Sequence, residues 1–239
     1  MNWPAVPWPQ VPAIASTMVR EADRRAREEY GIEPLQLMEI AGWQVARVVD
    51  TLLGGSAGKR VAVVAGSGNN GGDALAAARM LHQRGARVKV SIVSSHDPSS
   101  LSARHRITIE RLGIDVDPAP AGLEGAADVL IDGLLGTGIR LPLREPMPAI
   151  IAAMNGLGCP VVAVDVPSGL DADTGAGSQT AVRAAATVTL AVAKPALAGT
   201  PNAGRVFLAD IGMPAALFGE HSQAIEAVYS RGDLVELVA

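Results

Sequence analysis

The fold class predicted by this sequence is doubly wound α/β with a mostly parallel sheet, and three observations predict it. From residue 59 onward, short apolar runs alternate with stretches of helical periodicity. The runs are nearly continuous in Val, Ile, Leu and Ala, as strands covered on both faces must be. Glycine- and aspartate-rich segments follow three of them, and in open parallel sheets ligands sit beyond the carboxyl ends of strands. A chain of 239 residues, 49% hydrophobic and 18% charged, is long enough for one such domain with a sizeable core.

The elements follow in order. MNWPAVPWPQVP carries four prolines and no basic residue ahead of an apolar block, so it makes a poor signal peptide. Residues 1–13 are expected to form an extended arm, packed on a neighbouring subunit through Trp3 and Trp8, and 14–239 a single domain. A helix is expected over 16–30, starting at the capping pair Ser16-Thr17 and stopping at Gly31. A second over 34–53 opens with Pro34 and closes on Gly54-Gly55, with Leu35, Met38, Ala41, Val45, Val48 and Leu52 on one face. Strands are expected at 60–65, 87–93, 128–132, 161–165, 187–193 and 205–209. Helical patterns at 72–84, 100–112 and 145–155 separate the first four.

Composition excludes several function classes. A net charge of −4 and the absence of any Lys/Arg run give no basic field for nucleic acid. Aromatic residues are only 3%, too few for a single-strand stacking platform. No 18-residue apolar run is present, so no membrane span is expected and the cytoplasm is the default location. The single cysteine, Cys159, allows no intramolecular disulfide and reads as a small buried residue.

The chemistry gathers in three loops. GSGNNGGDAL (66–75) contains G-x-G-x-x-G, in which backbone N–H groups approach an anion and the following helix points its positive end at it. A dinucleotide-dependent dehydrogenase would also place an acid at the end of the second strand for the ribose. Here that segment reads Ile92-Val93-Ser94-Ser95-His96, with no acid before Asp97. Asn69, Asn70 and Asp73 instead offer amide and carboxylate groups to a polar ligand or a cation. The second loop, Asp132 to Gly138, again follows a strand-end carboxylate with a glycine-rich turn, and Arg140 and Arg144 lie close in sequence. In the third, VDVPSGLDADTG (164–175), Asp165 ends an apolar strand, where burial could raise its pKa toward a value useful for proton transfer. Pro167 and Gly169 present Ser168, while Asp171 and Asp173 read as solvated turn residues. Oxygen donors from Asn70, Asp132 and Ser168, without His or Cys clusters, suit an alkali or alkaline-earth cation rather than zinc.

Two catalytic classes drop out. There is no G-x-S-x-G elbow, and His82, His96, His105 and His221 all lie outside the three loops. The NTPase phosphate loop is also missing, since Lys59 and Lys194 have the wrong flanks; Lys194 in AVAKPAL reads as a strand-end salt bridge.

GSGNNGGDALAAAR, DVLIDGLLGTGIRLPLREP, VVAVDVPSGLDADTG and TVTLAVAKPAL, followed by GRVFLADIGMP, together resemble the YjeF N-terminal domain family, the NAD(P)H-hydrate epimerases. The likeness runs in order from about residue 14 to 214 and includes DRRAREEYGIEPLQLMEIAG. It implies a Rossmann-like three-layer sandwich with an N-terminal helical extension. It implies an isomerase that interconverts the R and S epimers of hydrated NADH or NADPH, so that the dinucleotide is substrate and not cofactor. Carried over by motif, the substrate would meet Asn69, Asn70, Gly71, Gly72 and Asp73, then Gly136, Thr137, Gly138, Ile139, Arg140, Leu141 and Pro142, and Asp165. Potassium would be held by Asn70, Asp132 and Ser168. Asp165 is the candidate for proton exchange during loss and return of the C6 hydroxyl. A homodimer and a separate ADP- or ATP-dependent dehydratase acting downstream are further expectations. The chain departs from the family pattern at Ala74, where GNNGGDG is usual, and at Ile40, where LMENAG is usual. The rival expectation is a non-catalytic binding module on the same fold, as in messenger-RNA decapping scaffolds and an apolipoprotein-binding protein. The intact set Asn70, Asp132, Asp165 and Ser168 favours the enzyme.

Overall fold

The β-branched runs assemble into one nine-stranded sheet, in the order β1-β9-β8-β7-β6-β5-β2-β3-β4. The computed structural model describes residues 3–93, 97–120, 123 and 127–239. The strands are β1 (Ala5–Pro7), β2 (Arg60–Ala65), β3 (Arg87–Ile92), β4 (Asp115–Pro118), β5 (Val129–Gly133), β6 (Val161–Val164), β7 (Ala186–Leu190), β8 (Arg205–Ala209) and β9 (Leu234–Val238). Every neighbouring pair is parallel except β8 with β9. The helices are α1 (Ser16–Tyr30), α2 (Pro34–Leu52), α3 (Asn69–Gln83), α4 (Leu101–Arg111), α5 (Met147–Gly156) and α6 (Ser222–Tyr229). No helix among the described residues is long and apolar enough to cross a membrane.

Alternation along the strands explains the two-sided packing. Val61 and Val63 of β2, with Val129 and Ile131 of β5, join α2 and α3 in one core cluster. Val64 and Leu130 point the other way, onto Ile150, Ile151 and Met154 of α5. The doubly wound, three-layer expectation is met, and the six expected strands lie within three residues of their expected ends. Four elements escaped the sequence reading: β1, β4, β9 and α6. Each is short, and DVDP of β4 and AVP of β1 contain proline, which sheets tolerate at their edges.

Two expectations need correction. Trp3 and Trp8 pack within their own chain and do not project on an extended arm. Residues 5–7 pair with β9 of the same chain, Trp3 meets Phe207 edge-on at 5.1 Å between centroids, and Trp8 packs on the cluster around Val6 and Leu237. Nor does Ser16 cap α1. Ala15 is the N-cap residue and supplies no side-chain bond. The Asp173 carboxylate does that work from 157 residues away, accepting from the Ser16 backbone N–H (2.8 Å) and hydroxyl (2.6 Å). An acid at a helix N-terminus satisfies an orphan N–H and opposes the helix dipole. Asp173 is therefore a tertiary clamp rather than a solvated turn residue. At the other end Gly31 closes α1 in the left-handed conformation (φ 66°), as expected of a C-terminal glycine.

Asp173→Ala is expected to lower unfolding stability by about 1–2 kcal/mol, the usual worth of a helix cap. Chemical denaturation checks this, and a wild-type midpoint and slope would show that the clamp is idle.

Candidate active site

Strand order creates the site. From β2 the chain moves outward to β3 and β4, then returns to the opposite side of β2 to form β5. Connections diverge at the carboxyl ends of β2 and β5, and a doubly wound sheet opens a crevice there. Backbone crowding fixes its floor. A Cβ on Gly66 would stand 2.0 Å from the Leu134 carbonyl oxygen, and one on Gly71 would stand 1.9 Å from that of Gly66. Glycine is the only residue that lets the β2 loop, the first turn of α3 and the β5 loop approach so closely. Ala74 sits in the same contact. Its methyl lies 2.3 Å from where a Cβ on Gly133 would be, so this departure from the family pattern is absorbed by packing, with Ala74 fully buried.

Above this floor lies a cavity of about 480 Å³. Asn69, Asn70, Asp73, Gly136, Thr137, Gly138, Ile139 and Asp165 all line it, so all three glycine- and aspartate-rich loops converge as expected. Gly71 and Gly72 do not; they lie buried in α3, where Gly72 makes room for the Met38 thioether. Arg140, Leu141 and Pro142 are exposed and outside the lining, as is Arg144. Asp132 and Ser168 are fully buried beneath the lining. Ile40 stands exposed on α2, facing Gly212 rather than the cavity. Ser94, Ser95 and His96 fall outside the described residues. No histidine or cysteine lines the cavity among the described residues, and the thiol of half-buried Cys159 is pushed up by burial.

The sequence reading missed the roof. Val19, Arg20 and Asp23 of α1 and Leu37, Met38 and Ala41 of α2 close the cavity from above. An arginine and an aspartate on a charged helix carry no sequence signal that they face inward. Lys194 was expected in a strand-end salt bridge. It is in one, but its partner is Asp165 and the pair lines the cavity. The Lys194 side chain is only 1% exposed, and its ammonium also donates to the Leu190 carbonyl at 2.7 Å. A lone lysine inside an apolar run was the available signal, because burying it demands a partner.

Asp165 is therefore not a carboxyl acted on by burial alone. It accepts from Lys194 and from the Leu190 N–H (3.0 Å), while its own N–H donates to Val188 (2.8 Å). Its backbone is left-handed (φ 63°), a strained state for a residue with a side chain and one often stored at functional sites. Asp73 is the complement. It is buried, accepts no hydrogen bond from another described residue, and its carboxyl is raised well above the usual range. Desolvation is the main cause; the Asp165 and Asp23 carboxylates add to it and Lys194 opposes it. Asp23 faces the cavity from α1 and is also raised, first by desolvation. Two neighbouring carboxyls are thus held in different environments, the arrangement that separates acid from base.

A second cluster lies under the floor. The Asp132 carboxylate accepts from the Ser168 hydroxyl (2.6 Å), the Ser168 N–H (2.8 Å) and the Leu134 N–H (3.2 Å). Burial pushes its carboxyl up to about 6. Asn70 joins by donating its side-chain amide to the Leu135 carbonyl at 3.0 Å. Asn70, Asp132 and Ser168, grouped in the sequence analysis, thus meet around the Leu135 backbone.

The fold and site define a doubly wound α/β protein with a glycine-walled crevice and a carboxylate–lysine cluster inside it. Residues 34–196 match the family described as YjeF-related protein N-terminus, and the chain belongs to that family. It is 39% identical to an NAD(P)H-hydrate epimerase of Limosilactobacillus fermentum, over 83% of this chain and 96% of that protein. It is also 39% identical to the bifunctional NAD(P)H-hydrate repair enzyme Nnr of Salinibacter ruber, over 85% of this chain and 41% of that protein. The chain thus spans about two-fifths of its bifunctional relatives. The crystal structure of yeast ynu0, YNL200c, superposes with a TM-score of 0.76 at 28% identity, covering 83% of this chain and 88% of that one.

Gly71→Ala is expected to destabilise the protein by about 3 kcal/mol, since the added methyl must displace backbone rather than a flexible side chain. An unfolding midpoint within error of wild type would show that α3 does not press on the β2 loop as described.

Proposed function

We propose that the chain interconverts the R and S epimers of hydrated NADH and NADPH. The carrying observation is the pair of carboxyls with opposed environments in one cavity, Asp73 without a cationic partner and Asp165 held against Lys194. The names of relatives that share most of this chain support the same reading. The first turn of α3, beginning at Asn69, offers backbone N–H groups to the diphosphate of the substrate. The apolar roof of Leu37, Met38 and Ala41 limits water around the reduced nicotinamide ring.

Inversion at C6 requires the hydroxyl to leave as water and a second water to add to the opposite face. The departing oxygen takes a proton, and the arriving water gives one up, so no net proton is consumed. Asp73, raised by burial, delivers a proton to the departing hydroxyl, Asp165 accepts one from the arriving water, and proton exchange with solvent then restores both carboxyls for the next cycle. The carboxylates around the cavity oppose the positive charge that develops on the ring. Lys194 keeps Asp165 oriented through the exchange.

The residues beneath the floor fit a monovalent cation. Asp132 is buried with no cationic side chain paired to it among the described residues, and Ser168 and Leu135 add neutral oxygens, a hard donor set. Asn70, Asp132 and Ser168 would hold potassium, whose charge would offset Asp132 and stiffen the loop that carries Gly136 to Ile139. The reading also includes a homodimer, supported by exposed Ile40 and Trp43 on α2. It includes a dehydratase that consumes one epimer, supported by the bifunctional names of longer relatives. It places the protein in the cytoplasm.

Purified R-epimer of hydrated NADH, followed by chromatography, tests the activity. The wild-type protein is expected to accelerate the approach to the epimer mixture, and Asp165→Asn to slow it by about 10²–10⁴-fold, the range for a lost general base. Near-normal epimerisation by Asp165→Asn would remove Asp165 from the proton exchange. Failure of folded wild-type protein to exceed the spontaneous rate would replace the enzyme with a binding module.

The cation site has its own test. Potassium, exchanged for tetramethylammonium at equal ionic strength, is expected to raise the melting temperature of the wild type by several degrees, roughly 2–4 °C per kcal/mol for a chain of this size. Asp132→Asn is expected to lose that difference. An equal response in both proteins would place the cation elsewhere.

A further inference from the structure

We propose that Tyr229, one residue behind the cavity lining, is a positioning residue that holds the Asp165–Lys194 pair through a strained turn at Ala191. The proposal rests on the epimerase reading for its kinetic part alone.

Ala191 is the other non-glycine residue with a positive φ (62°) among the described residues, and it directly follows β7 as Asp165 follows β6. At both places the next N–H closes back on the preceding carbonyl, Val166 to Val164 at 2.8 Å and Val192 to Leu190 at 2.7 Å. These are tight three-residue turns of the strained hand, and they persist only where the surroundings hold them. The turn at Ala191 matters because Leu190 carries both members of the ion pair. Its N–H donates to Asp165 and its carbonyl accepts from Lys194. Relaxing Ala191 rotates the Leu190 carbonyl and takes Lys194 with it.

What holds Ala191 comes from two sides. Its N–H donates to the Ala209 carbonyl of β8 at 3.0 Å. Its carbonyl accepts from the Tyr229 hydroxyl at 2.6 Å, which also reaches the Ala209 carbonyl at 3.0 Å. Tyr229 ends α6, beyond the residues that match the family. Burial raises the phenol well above its ordinary value, so it stays a donor throughout the working pH range. A phenol placed between two carbonyls on adjacent strands suits a brace better than a filler of apolar volume.

Tyr229→Phe keeps the ring and removes the brace. We expect kcat for epimerisation to fall by about tenfold with KM changed less than about twofold, as for a group acting on the reacting geometry and not on binding. Adding Ala191→Gly, which takes a positive φ without strain, is expected to return kcat to within about threefold of wild type. A readout independent of activity is the ¹⁵N-detected ammonium signal of Lys194, one of only three lysines in the chain. In wild type it is expected to be protected from exchange, in Tyr229→Phe broadened, and in the double variant protected again. Wild-type kcat with an unchanged ammonium signal in Tyr229→Phe would overturn the proposal. So would a loss in kcat matched by KM and melting temperature and not rescued by Ala191→Gly, since that marks a general structural defect. If wild-type protein does not epimerise, the ammonium signals alone decide the brace, and the epimerase reading falls separately.

Discussion

Much of this structure depends on one buried lysine. Taking an ammonium out of water is tolerable only beside a carboxylate with further hydrogen bonds, and removing one partner of such a pair typically costs about 3–5 kcal/mol. Lys194 finds Asp165, and satisfying both atoms dictates where β6 and β7 must end, because the Leu190 backbone serves each of them. The two non-glycine positive-φ residues among the described residues, Asp165 and Ala191, flank the Leu190 backbone that serves the pair. Stability and chemistry are not separate here. The ion pair that would be costly to break also lines the cavity.

Much of the fold was legible because strands buried on both faces leave an unambiguous apolar rhythm. RVAVVA, DVLID and VVAVD could hardly be anything else. β9 and α6 were lost because LVELV and SQAIEAVY are short and only partly apolar, and β8–β9 pairing is set by distant contacts rather than by local sequence. The site was legible where spacing constrains it. Glycines and carboxylates directly after strands can only converge on one sheet edge, which is why Asn69, Asn70, Asp73, Gly136 and Asp165 meet. Gly71 and Gly72 show the limit of that logic. A glycine that serves close packing reads the same as one that serves an anion. Asp23 and Arg20 were invisible for another reason, since nothing on α1 says which face is roofed over.

The two layers of the site divide the physical work. The upper layer keeps charges unequal, with a paired carboxylate beside an unpaired one. The lower layer, Asp132 with Ser168 and the loop of Leu134 and Leu135, keeps geometry constant by tying the ends of β5 and β6 together. Glycines at 66, 71 and 133 bring the layers within contact distance. None of them needs an unusual φ; each is small because backbone, or at Gly133 the Ala74 methyl together with the Asn70 carbonyl, stands where a side chain would go.

The clamp from Asp173 to the first turn of α1 has a consequence for traffic. It fastens the roof to the segment that follows β6, so α1 cannot swing away without stranding a carboxylate, a hydroxyl and a backbone N–H together. The roof and the Asp165 wall therefore move as one body. The segment from Gly138 to Pro142, by contrast, is largely exposed, and only Gly138 and Ile139 of it line the cavity.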